Sequence, residues 1–359
     1  MGISFWPPLQ LIAYTKIAQG ILYTFDLEIL KYGFTSVGLY QNYVLQIEKK
    51  VSSIILPVNT SKRDPIKAAR RPCLPIEVQK QVVGLVMVLS LEIENWFDCH
   101  KSFLFGDDLY LRKRIAWYSN GIVDRFKTAQ IFIEDESLSI KRRFQLAFKY
   151  YFEKNARKLW ENMPLDDKDC FMEGNRGSFF HYWLKQCSIG IDWSTISLTT
   201  RGQEFFYSNY LGLRYFFTQV KGSEIRFQCV SSALESEMMH HFDMSIIISR
   251  MNVHELNATL VRLTLKQVYK FFECFLQWPL QIIFMDVVNQ FKGHITEDIF
   301  FDLVQIILFD KLRKQWKDHQ YVDLLKPFWY SMPSNYRDYV NEDSNLQKEL
   351  KLHLKSCMS

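Results

Sequence analysis

The chain has 359 residues, of which 48% are hydrophobic, 16% aromatic and 23% charged, with a formal net charge of +5. This is globular composition: enough for two ordinary domains or one long helical array, and it excludes disorder over most of the length. So mild a charge makes nucleic acid an unexpected partner, and the longest apolar run, residues 82–91, is far short of the roughly 20 residues of a bilayer span, so no membrane is expected either.

The seven cysteines, Cys73, Cys99, Cys170, Cys187, Cys229, Cys274 and Cys357, are irregularly spaced and form no C-x-x-C. They fit a reducing compartment, with most thiols acting as small buried hydrophobes. The first residues, Met1-Gly2-Ile3-Ser4-Phe5-Trp6-Pro7-Pro8, show neither a basic stretch nor a cleavable apolar one. The expected location is the cytoplasm, with the nucleus as the alternative.

In chain order, residues 1–56 read as an N-terminal helical segment. Leu9, Ala13, Ile17 and Ile21 stand at helical spacing, and a second helix is expected over residues 41–55. Residues 57–75 read as a loop, because Pro57, Pro65, Pro72 and Pro75 break any helix. The loop also carries Lys62, Arg63, Lys67, Arg70 and Arg71, a weak import signal better read as solvated charge.

Residues 76–164 read as a helical repeat region, opening with a long buried helix over residues 76–99. Leu109-Tyr110-Leu111-Arg112-Lys113-Arg114-Ile115 then matches Leu138-Ser139-Ile140-Lys141-Arg142-Arg143-Phe144 at an offset of 29 residues. Each copy is followed by a second amphipathic segment: Ile122, Phe126, Ala129 and Ile133 in one, Ala156, Leu159, Trp160 and Met163 in the other. A period near 30 residues with two helices per unit is the pattern of a helical solenoid. Trp160-x-x-Met163-Pro164 is echoed by Trp329-x-x-Met332-Pro333, where proline is expected to stop a helix.

Residues 165–178 read as an acidic, glycine-bearing loop. Residues 179–359 form a C-terminal helical region, with helices expected near 179–187, 203–220, 224–242, 254–277, 280–291, 297–316, 321–332 and 336–354. Residues 189–200 alternate in part and are the best candidate for extended chain. The expected fold is therefore all-α, an α-solenoid-like array of antiparallel helix pairs with little or no β-sheet.

No catalytic, cofactor or metal residue is assigned. Phosphate-binding loops need clustered glycines, and the fourteen here are scattered. His254-Glu255 begins a zinc-hydrolase pattern, but Ala258 stands where the second histidine belongs. His240-His241-Phe242-Asp243 is the one dense ligand cluster, and adjacent residues of a helix point about 100° apart, which keeps two such histidines off a shared metal. Asp167-Lys168-Asp169 starts like a calcium loop but lacks the glycine, Met172 being in its place.

The helix-pair units over residues 107–164 resemble those of ankyrin-type or other α-solenoid repeat proteins, without the T-P-L-H signature. Such arrays bind proteins by default, so the resemblance implies an interaction scaffold rather than an enzyme. Leu9, Ala13 and Ile17 are similar to the elongin-C-binding box of SOCS-type ubiquitin-ligase adaptors, with Ala13 in place of the cysteine. That similarity implies a substrate adaptor as the alternative; an enzyme of unrecognised type is a third. Leu74-Pro75 with Val78 and Val82 is similar to the start of F-box helices.

Charge adds one expectation. Residues 101–160 carry 13 Lys and Arg against 7 Asp and Glu. Arg112, Lys113 and Arg114, with Lys141, Arg142 and Arg143, are expected to form a basic ridge, centred on Lys113 and Arg142, for an acidic or phosphorylated protein partner.

Overall fold

Among the described residues, the N-terminal layer is made by α1 (Leu9–Leu22), α2 (Val37–Ser52) and α3 (Ile76–Cys99). The structure is a computed structural model that describes residues 5–25, 37–54, 73–102, 104, 111–174, 210–235, 239–314 and 316–355. The proline-rich loop is mostly outside these residues, and the expected helix at 179–187 and the extended stretch at 189–200 are wholly outside.

α3 has the bounds expected from its apolar run. Pro75 precedes it, and every residue from 82 to 90 is buried, so all its faces are covered. A helix apolar all round belongs inside a protein. α1 and α2 pack along it, and Gly84 meets the chain at Lys317 and Asp318. Its one internal hydroxyl, Ser90, bonds Tyr43 at 2.6 Å and the Val86 carbonyl at 2.8 Å.

After α3 come α4 (Arg125–Glu134), α5 (Ile140–Lys149), α6 (Glu153–Glu161) and α7 (Leu165–Gly174). α4 packs on α5, and α5 on α6. Asp124 and Ser139 cap α4 and α5 with side-chain oxygens, as short polar residues at helix starts do. The two copies of the basic motif differ in structure. The second enters α5, whereas the first is a single 3-10 turn at 111–114, followed by a loop that crosses back on itself at Trp117 and Val123. The expected acidic loop is largely α7. Pro164 offers the first carbonyl, to Lys168 N–H at 3.1 Å, and Asp166 and Asp167 sit in the first turn, where negative charge favours a helix.

The C-terminal part holds α8 (Leu213–Gln219), α9 (Ser223–Glu235), α10 (His241–Ser249), α11 (Val253–Arg262), α12 (Leu265–Cys274), α13 (Phe284–Phe291), α14 (Glu297–Gln305), which runs on into a π-helical turn (Ile306–Leu312), α15 (Tyr321–Ser331), α16 (Ser334–Glu342) and α17 (Ser344–Lys355). Contacts run mainly between helices near in sequence: α8 with α10, α10 with α12, α12 with α14, α14 with α16, α15 with α17. The two W-x-x-M-P motifs make matching corners. Met163 and Met332 are both buried, and the following proline carbonyl opens the next helix in each, α7 and α16. The fold is all-α, with no strand or sheet among the described residues. Among those residues no helix is long and apolar enough to cross a membrane.

Candidate functional site: a buried arginine–histidine centre

The second half of α3 carries Glu92, Asn95 and Cys99 about one turn apart, on one face. The loop before α4 turns at Gly121, whose φ of +85° and close contact with Leu89 and Thr15 leave no room for a side chain. That turn brings the Val123 N–H to Glu92 Oε2 at 3.2 Å and sets Arg125 at the head of α4. Nearby, the Asn120 carbonyl accepts the Trp278 indole N–H at 3.0 Å. The third wall comes from the entry to α10.

His240 is the N-cap of α10, in extended backbone, and His241 is its first helical residue. The expectation that the two imidazoles diverge as neighbours on a helix fails for this reason. Their ring centroids are 4.2 Å apart. Glu92, His240 and His241 offer ligand atoms within 4.8 Å of one another, the one such trio found among the described residues.

The hydrogen bonds fix the protons. His240 Nδ1 accepts the Phe242 N–H at 3.2 Å, so its proton is on Nε2 and is donated to Glu92 Oε1 at 2.8 Å. His241 Nε2–H is donated to the Trp278 carbonyl at 2.6 Å. Burial pushes His240 well below the usual imidazole range, and burial followed by neighbouring His240 brings His241 down to about 3. Both are neutral at physiological pH. Burial raises the Glu92 carboxyl, opposed by His241, Arg125 and the Val123 N–H. With the His240 Nε2–H already donated to Glu92 and the Arg125 guanidinium acting on the same carboxylate, this geometry disfavours a cation.

Around the trio lies a wider polar core. Asp243 is held by Arg214 at 3.0 Å, and Arg214 also donates to Tyr118 Oη at 2.8 Å. His100 bonds Tyr150 at 2.9 Å, ring over ring. Arg125 is 2% exposed, and among the described residues its Nε and Nη1 have no hydrogen-bond partner. A cavity of about 350 Å³ opens here, lined by Arg125, His240, His241, Asn95, Lys270 and Gln277 among others. Cys274 also faces it, but burial and then Glu273 push that thiol up to about 12, so it is no thiolate nucleophile at neutral pH.

Sequence reading found the histidine pair but not Glu92 or Arg125. The available signal was a carboxylate directly following the apolar run that ends at Leu91. Arg125 gives no local sign, since its burial depends on segments far away in the chain.

The expected basic ridge is largely spent on structure. Arg112 is buried and donates to the Phe25 carbonyl at 2.6 Å, so it is not a surface residue. Arg114 pairs with Asp135, Arg143 donates to the Ile133 carbonyl at 2.6 Å, and Lys141 lies over Phe171. Lys113 is exposed and Arg142 is half-buried. The structure therefore brings the ridge together only in part, because its first copy is a turn rather than a helix. On α1, Leu9 is 85% exposed, Ala13 is exposed and Ile17 is half-buried. The F-box-like residues Leu74 and Val82 are in the core. No protein-family model matches the chain, and no curated protein or solved structure matches it.

Proposed function

We propose that the chain is a non-enzymatic helical scaffold, in an α-solenoid-like arrangement of stacked pairs, that binds a protein partner. The observation that carries this reading is at the head of α1. Trp6 and Leu9 are 84% and 85% exposed, on the side where Ala13 is also exposed. Large apolar side chains left in water at neighbouring positions of the chain are the material of an interaction surface. The excess of Lys and Arg over residues 101–160, with Lys113 at the surface, favours a partner with an acidic or phosphorylated segment. Among the described residues Cys73, Cys99, Cys170, Cys229 and Cys274 form no disulfide, which supports a reducing compartment such as the cytoplasm.

The test is Leu9→Asp in the full chain. Leu9 lies outside the core, so stability should change by no more than about 0.5 kcal/mol. Proteins captured by the wild type should be lost from the variant and kept by the distant surface change Lys351→Glu. Unchanged capture, or a loss of about 2–4 kcal/mol as for a buried apolar residue, would refute the reading. The ubiquitin-ligase adaptor is the second reading, favoured by the outward placement of Leu9 and Ala13. Purified elongin C should then bind the wild type and not Leu9→Asp; no binding to the wild type removes it.

A further inference from the structure

A guanidinium stays charged at every accessible pH and carries five N–H donors. Burying one without partners is costly, so proteins surround it with acceptors. Arg125 is 2% exposed, yet among the described residues its Nε and Nη1 meet no acceptor. The two buried carboxylates of this region are already engaged. Glu92 accepts from His240 and Val123, and Asp243 accepts from Arg214. Neither completes the fork. The side chain instead lines the cavity of about 350 Å³, next to the neutral His240 and His241.

We infer that Arg125 anchors a small oxyanion, the carboxylate or phosphate of a low-molecular-weight ligand, in the cavity between α3, α4, α10 and α12. The geometry supplies each requirement. The guanidinium that borders the cavity is a fixed, hydrogen-bond-donating positive charge, the complement of an oxyanion. Arg125 itself is almost wholly out of water, which strengthens a charge interaction made with it. The volume lies at the small end of ligand pockets, which suits a small molecule rather than a peptide. Asn95, exposed at the rim, marks the way in. Asp98 and Glu273 on the same walls, the latter paired with Lys270 at 2.7 Å, oppose large polyanions and keep the site for a compact group. The site is separate from the α1 surface, and its test does not depend on any protein partner.

The experiment uses the full chain at constant ionic strength, with sodium chloride as the reference salt and inorganic phosphate or acetate as the probe. Melting temperature and titration calorimetry are the readouts. The wild type should gain Tm saturably with phosphate, acetate or both, and the stronger probe identifies the oxyanion class. Arg125→Met keeps the volume and removes the charge. It should still fold in chloride, though less stably because Glu92 loses a countercharge, and bind the probe at least tenfold more weakly. Asn95→Glu changes only an exposed rim residue and should weaken binding several-fold by repulsion. A wild type that responds to neither probe beyond chloride overturns the inference, as does wild-type affinity in Arg125→Met. If Arg125→Met does not fold, wild-type affinity in Asn95→Glu overturns it.

Discussion

His100 shows how a single side chain here ties stability to pH. It is fully buried, bonded to the Trp96 carbonyl and to Tyr150 Oη, and burial lowers it from its ordinary 6.5 to about 3. In the unfolded chain it protonates near its ordinary value. Between those limits the unfolded state binds a proton that the folded state refuses, so wild-type stability falls as pH drops below about 6.5. Replacing His100 with Phe strands the Tyr150 hydroxyl and should cost about 1–3 kcal/mol at pH 7. The variant lacks the titration, so the deficit should shrink on acidification, by about 2 kcal/mol between pH 6.5 and 5 at 1.4 kcal/mol per unit. Other groups, Glu92 among them, titrate in both proteins and cancel in the difference. Urea denaturation of both proteins at the two pH values measures it. A deficit that stays constant would mean that His100 is protonated in the folded state.

Between helices, two glycines with opposite surroundings separate propensity from packing. Gly20 lies in α1 with open space where a Cβ would be, and Gly84 lies in α3 where a Cβ would press on the backbone of Lys317 and Asp318. Alanine in a helix is favoured over glycine by about 1 kcal/mol. Gly20→Ala should therefore stabilise by roughly that amount. Gly84→Ala should destabilise by about 1–3 kcal/mol, because forcing volume into a packed contact costs more than propensity returns. Thermal melts of the two variants check the signs, and a stabilised Gly84→Ala would mean that residues 317–318 do not rest on α3. Element boundaries were legible where composition alone decides them. The bounds of α3 follow from Pro75 and an unbroken apolar run, and both W-x-x-M-P corners were visible as helix stops. They were missed where a side chain decides. One helix was expected over residues 254–277, but the Thr264 and Gln267 capping box starts α12 separately from α11. The end of α5 was hidden for another reason. Tyr151 takes φ +60° there, a place glycine usually fills, and its ring lies against Gly212. Arg125 and the approach of His240 to Glu92 lay beyond reach, since contacts 148 residues apart leave no local pattern.

Across the whole molecule, the question is whether the helix pairs stack independently or lean on a shared element. In a strict solenoid each unit touches only its neighbours, so trimming one end leaves the rest nearly as stable. Neighbour contacts do dominate the C-terminal part, but α3 adds contacts of another kind. Glu92 bonds His240, Asn120 accepts from Trp278, Gly84 rests on Lys317 and Asp318, and Lys317 pairs with Glu48 at 2.7 Å across 269 residues. The Glu92 and Gly84 contacts connect α3 itself to the later part of the chain, and the Asn120 and Glu48 bonds tie the segments beside it to the same region. A chain ending at Gln277 would lose Trp278 and the segment at 317–318, exposing α3 surface near Gly84 and Leu85. Such a truncation should fail to keep a cooperative fold. Its far-ultraviolet circular dichroism should melt broadly, and limited proteolysis should cut within residues 76–99. The full chain should unfold in one transition that coincides by circular dichroism and tryptophan fluorescence, as a single core requires. If the truncated chain melts sharply within a few degrees of the full one, α3 is not the shared element and the pairs stack independently, as the solenoid-like reading of the sequence requires.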